Sequence, residues 1–80
     1  MTTMLRLKNI RIGNGKAEAD FYPEDSSRAG HIVVSLESKE IIICEDVPGY
    51  GESYRGHAKH NLIKMAKENN TATERTVMWY

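Results

Sequence analysis

Cysteine is nearly missing from this 80-residue chain, and its scarcity removes one way of holding a small protein together. Cys44 has no second thiol to pair with, so no internal disulfide forms. Long apolar runs are missing too. No stretch reaches the length of a membrane span, and "MTTMLRLKNIRIG" has no secretory core, so a soluble cytoplasmic protein is expected. An unpaired thiol suits a reducing compartment. Neither sign of charge is in excess: eleven Lys and Arg balance eleven Asp and Glu, and net charge gives no argument for nucleic acid. Size is also short. A core from fewer than about 80 residues rarely supplies more than ~3 to 5 kcal/mol, so a partner subunit or metal is a natural supplement.

The charges are unevenly placed. Residues 1–16 carry Arg6, Lys8, Arg11 and Lys16 and no acid, residues 17–52 hold nine acids against two bases, and residues 53–80 five bases against two acids. Such segregation favours oppositely charged neighbours meeting across the fold or a subunit interface over a polyanion site.

In "IRIGNGKAEADFY", Asn14-Gly15 between two strand-like runs signals a two-residue type I′ hairpin. Pairing Gly13 with Lys16 sets Ile12 against Ala17, Arg11 against Glu18 and Ile10 against Ala19. Leu5 and Leu7 are out of phase with Ile10 and Ile12, and a one-residue bulge near Lys8-Asn9 restores the phase, placing Leu7 beside Phe21. Pro23 ends the second strand, and "PEDSSRAG" is a polar loop. "HIVVSLESKEIIICEDV" reads as a second hairpin around Ser38-Lys39, whose last strand, Ile41 to Val47, is apolar on both faces and suits a central or covered position. Val47-Pro48-Gly49-Tyr50 is a turn. A helix follows from about Ser53 to Asn69, with Tyr54, Ala58, Leu62, Met65 and Ala66 on one face and His57, His60, Lys64 and Lys67 on the other. "ERTVMWY" reads as a closing strand. The chain is therefore one domain, residues 1–80, of the α+β class in the order β-β-β-β-α-β. One helix covers two or three of five strands, since it is about 10 Å wide and strands lie about 4.8 Å apart. Val33, Ile42 and Cys44 are expected on the uncovered face, where a homodimer would bury them.

Gly51 and Gly56 have the glycine spacing of a phosphate loop, but His57 and Ala58 stand where lysine and a hydroxyl are needed, and no dinucleotide pattern is intact. Backbone N–H groups at the helix start, with Arg55, can still attract an anion, although tight turning accounts for the glycines. His57 and His60 are two ligands at helical spacing, not a metal set, and Lys64 and Lys67 oppose a cation. The same stripe has no nucleic-acid motif and reads as a solvated face. Tyr50 and Tyr54, with Trp79 and Tyr80, suggest either a small-molecule pocket or aromatic core, and Tyr50, Tyr54, Arg55 and His57 are the ligand-binding candidates. A two-residue turn at Ser38-Lys39 would set His31 against Asp46 and Val33 against Cys44. Cys44, His31 and Asp46 would then share one face and stand as candidates for thiol chemistry, although a lone cysteine more often serves as a small hydrophobe.

"AEADFYPED", "GHIVV" and "VMWY" resemble stretches of small bacterial proteins of about this length that have no assigned activity. The resemblance implies a compact cytoplasmic domain and transfers no substrate, cofactor or site residue. The sequence thus favours a non-enzymatic binding or interaction module acting as a homodimer, without a cofactor or metal. A thiol-dependent enzyme is the alternative, and a weak nucleic-acid or anion binder through the basic helix face is the second.

Overall fold

The computed structural model describes residues 3–50 and 53–79. Its elements are β1 (Thr3–Gly13), β2 (Lys16–Pro23), β3 (Gly30–Ser35), β4 (Ile41–Glu45), α1 (Ser53–Lys67) and β5 (Arg75–Trp79). The strands form one antiparallel sheet in the order β4-β3-β2-β1-β5, and α1 packs across β1, β2 and β3. This is the expected α+β element order. The closing strand, which the sequence left unplaced, lies beside β1 with Leu5 opposite Val77 and Thr3 opposite Trp79. Gly51 and Tyr80 lie outside the described residues. Among those described, no helix is long and apolar enough to cross a membrane.

The first hairpin follows its turn chemistry. Asn14 and Gly15 have φ of 53° and 75°, the left-handed pair that a type I′ turn requires, and the ladder runs Gly13↔Lys16, Ile12↔Ala17, Arg11↔Glu18. Between Arg11↔Glu18 and Lys8↔Asp20, β1 has two residues, Asn9 and Ile10, against one on β2. This is the expected bulge. Asn9 takes the left-handed conformation (φ 54°), the Ile10 amide donates to the Thr73 carbonyl at 3.0 Å, and Leu7 comes to face Phe21. The bulge keeps Leu5, Leu7 and Ile10 on the side of the helix.

On that side Leu5, Leu7, Phe21, Ile32 and Val34 pack under Ala58, Leu62 and Met65. Fully burying such a side chain contributes about 1.5–3 kcal/mol for the larger ones. Ala17 and Ala19 keep β2 low beneath the helix, and Gly30 does the same beside Phe21, where an added Cβ would strike the Phe21 ring and the Glu45 carbonyl. Asn69 closes α1 at φ 53°: its amide donates to Ala66 O (3.2 Å) and that of Asn70 to Met65 O (2.9 Å), a Schellman termination at the expected position.

The second hairpin departs from expectation. Its loop takes four residues, 36–39, closed by Ser35 N–H to Glu40 O and Lys39 N–H to Ser35 O, both 2.8 Å, with Lys39 at φ 62°. Leu36 then packs on the core. A further irregularity at Ile42 separates Val34↔Ile41 from Val33↔Ile43. Beyond it the register is His31↔Glu45 and Ile32↔Cys44. The two-residue turn at Ser38-Lys39 is therefore corrected, and so is everything built on its register, because a slip of one residue moves a strand's side chains to the opposite face. The strand β4 is also an edge strand, neither central nor covered.

Candidate functional site

The three residues considered for thiol chemistry do not converge. Cys44 pairs with Ile32 on the helix side, whereas His31 projects from the uncovered face opposite Asp20. Cys44 does meet Asp46: its thiol donates to Oδ1 at 3.4 Å, and Arg55 Nη1 donates to Oδ2 at 3.0 Å. Burial, then the hydrogen bond and charge of Asp46, push the Cys44 thiol up to about 11 despite the opposing influence of Arg55. A thiol in that state is a poor nucleophile at neutral pH.

His31 sits instead between two carboxylates that the sequence did not single out as site residues. Its Nδ1 lies 2.8 Å from Asp20 Oδ1 and its Nε2 lies 3.5 Å from Glu18 Oε2. Asn9, positioned by the bulge, donates to Asp20 Oδ2 at 2.8 Å. The hydrogen bond from Asn9, followed by that of His31, holds the Asp20 carboxyl below the usual carboxylate range. His31 therefore ties β3 to β2 through its hydrogen bond with Asp20, with the Glu18 carboxylate on the other side of the ring. Among the described residues, no three His, Cys, Asp or Glu side chains converge as a metal site does.

Of the proposed ligand-binding residues, Tyr50, Tyr54 and His57 do come together. Tyr50 and Tyr54 meet edge to face with centroids 5.6 Å apart, Tyr54 meets Trp79 at 5.6 Å, and His57 stacks on Trp79 at 3.7 Å. Burial and the neighbouring Glu24 raise the Tyr54 phenol. The rings are turned on one another, fastening the start of α1 to the end of β5. Arg55 departs toward Asp46. The helix stripe is also divided: His60, Lys64 and Lys67 are exposed, while His57 is half-buried against Trp79.

Two surfaces remain. One is the β4 edge, where Ile42 and Ile43 are 50% and 51% exposed and Val33 lies directly beside Ile43. The patch expected from Val33, Ile42 and Cys44 is corrected to Val33, Ile42 and Ile43. The other lies on the uncovered face near β5, where Arg6 and Lys8 stand over the Tyr22 ring at 5.4 and 5.5 Å from its centroid. Alternation alone could have found this group, since Arg6, Lys8 and Tyr22 all oppose the phase of Leu5, Leu7 and Phe21. A groove of about 410 Å³ between the end of α1 and β1, floored by Ile10, Ile12 and Met65, has no titratable side chain in its lining.

No protein family, curated protein or solved structure matches this chain.

Proposed function

We propose that this protein is a non-enzymatic interaction module that pairs with a second copy of itself through the β4 edge. The observation that carries this reading is the pair of half-exposed isoleucines, Ile42 and Ile43, on an edge strand with Val33 alongside. Exposed apolar side chains clustered at a sheet edge mark an association surface. The irregularity at Ile42 limits open-ended strand addition, so a closed pair joined by side-chain packing fits better than a growing sheet.

A two-fold antiparallel approach brings Lys39 and Glu40 of each copy toward Glu45 of the other, so charge at the strand ends is balanced and the apolar side chains carry the association. A chain with zero formal net charge adds no overall repulsion to that approach. A groove of about 590 Å³ running from Val33 and Ile43 to Arg11 and Lys16 gives the patch a concave, polar rim. Against an enzyme stands the division of Cys44 and His31 between opposite faces.

Sedimentation equilibrium across a concentration series tests this. The expected result is a dimer for the wild type and a monomer for Ile43→Lys, with unchanged circular dichroism. A wild-type chain that stays monomeric at several hundred micromolar, roughly a Kd too weak for function at ordinary cellular levels, overturns it.

A further inference from the structure

The geometry points to a nucleotide-binding site on the uncovered sheet face, in which Lys8 and Arg6 hold a phosphate and the Arg6 guanidinium, backed by Tyr22, stacks on the base. The site is three strands from the β4 edge and independent of pairing there.

Arg6 and Lys8 are both half-buried and project from β1 over one tyrosine. Neither makes an ion pair among the described residues. Asp20, opposite Lys8 in the ladder, has its two oxygens engaged by Asn9 and His31. A ring quadrupole attracts cations without neutralising them, so two positive charges stay concentrated at Tyr22. Among the described residues Arg6 makes one hydrogen bond, from Nη2 to Ser26 O at 3.2 Å, and its shielded Nε has no partner. An unsatisfied donor on a charged group calls for a partner that a bound anion can supply after a small reorientation.

The surroundings extend the site along β1 and across to β5. A depression of about 170 Å³ at this edge is lined by Arg6, Leu7, Lys8, Glu74, Arg75 and Thr76. Arg75, opposite Leu7, turns to the helix side toward Glu68 at 3.9 Å, so Arg6 and Lys8 are the cations it presents on the uncovered face, with Glu74 as the one acid in the lining. Arg11 continues the cationic column beyond the bulge, pairing only loosely with Glu18 at 3.9 Å. Met78, 65% exposed, stands on the same face two residues from Thr76, which is opposite Arg6. Planar guanidinium over an aromatic ring is a platform on which a third flat group stacks, and an exposed thioether beside it tolerates apolar contact. Phosphate and base together satisfy what the surface offers, and either a free mononucleotide or a single strand presents both.

The test is an amide chemical-shift titration of the full chain with thymidine monophosphate, an oligo-dT strand of about eight nucleotides, and inorganic phosphate. Shifts centred on Arg6, Lys8 and Tyr22 with either nucleotide support the site. A strand binding more than tenfold tighter than the mononucleotide identifies nucleic acid as the source, and equal affinity identifies the free nucleotide. Lys8→Gln weakens every ligand and, if a strand is bound, lowers the slope of log affinity against log salt by about 0.7. Arg6→Lys keeps the charge but not the plane, and lowers nucleotide affinity about tenfold while leaving phosphate unchanged. Ile43→Lys leaves binding intact. Absence of shifts, shifts centred on the helix face at His60, Lys64 and Lys67, or phosphate binding as tightly as the nucleotides overturns the proposal.

Discussion

Cys44 lies directly opposite Ile32 in the ladder between β3 and β4, with its sulfur 3.4 Å from Oδ1 of Asp46. Both neighbours act against the thiolate: the apolar side removes solvent and the carboxylate accepts the thiol proton and repels a second negative charge. With the thiol pushed up to about 11 from 9.0, the thiolate fraction at neutral pH is about a hundredfold below that of an ordinary cysteine. Alkylation by iodoacetamide, followed by mass spectrometry, is expected to be correspondingly slow near pH 7 and to keep accelerating up to about pH 11. Asp46→Asn should speed it at neutral pH. A wild-type rate equal to that of a free thiol contradicts this electrostatic account.

Gly30 is required by packing. It has no unusual φ, yet a methyl group there meets the Phe21 ring and the Glu45 backbone. Gly30→Ala is expected to lower the unfolding free energy by about 1–3 kcal/mol in urea, the range for overpacking a filled core. Phe21→Leu in the same chain should recover part of that loss, because the two sites compete for one space. Strictly additive losses would mean that the clash is with the backbone alone.

Asp20 gives the acid side of the stability profile a particular shape. Its folded pKa lies below its unfolded one, through Asn9 first and His31 second. Its contribution is therefore fully present above the unfolded carboxylate range, about pH 4, and is lost as pH falls through the depressed folded value. Wild type should exceed Asp20→Asn in urea midpoint at neutral pH, and the gap should narrow steadily below about pH 4. A gap that stays constant down to about pH 2.5 would show that the carboxylate's charge is irrelevant.

The two hairpins differ in how much of them the sequence reveals, and the reason is physical. Asn14-Gly15 has few conformational options, so turn, register and the Arg11–Glu18 pairing all follow from two residues. Ser38-Lys39 has many. Only the packing of Leu36 on the core selects a four-residue loop, and the irregularity at Ile42 then shifts the rest of β4. Those two tertiary effects separate His31 from Cys44 and bring Ile43 beside Val33. The helix was legible because its apolar face and its Asn69 stop are local signals. Arg6, Lys8 and Tyr22 were legible as a group from the alternation, whereas the placement of β5 beside them was not.

Asn9 joins the backbone of β1 to the charge on Asp20, and two substitutions separate these roles. Its left-handed φ of 54° is one that asparagine and glycine adopt readily, whereas its side chain donates to Asp20 Oδ2 at 2.8 Å. Asn9→Gly keeps the bulge and removes the hydrogen bond. The Asp20 carboxyl should then titrate closer to the usual range in an NMR pH series, since Asn9 is the largest cause of its depression. Asn9→Ala removes the hydrogen bond as well and adds the steric cost of a Cβ in the left-handed region, about 1–2 kcal/mol. It should therefore be the less stable of the two by roughly that amount, with the same Asp20 titration. Equal stability for the two variants would mean that the bulge relaxes when alanine enters. The phase of Leu5 and Leu7 under the helix would then have to be held from elsewhere, and the hydrogen bond that the Ile10 amide donates to the Thr73 carbonyl at 3.0 Å would be the remaining local support.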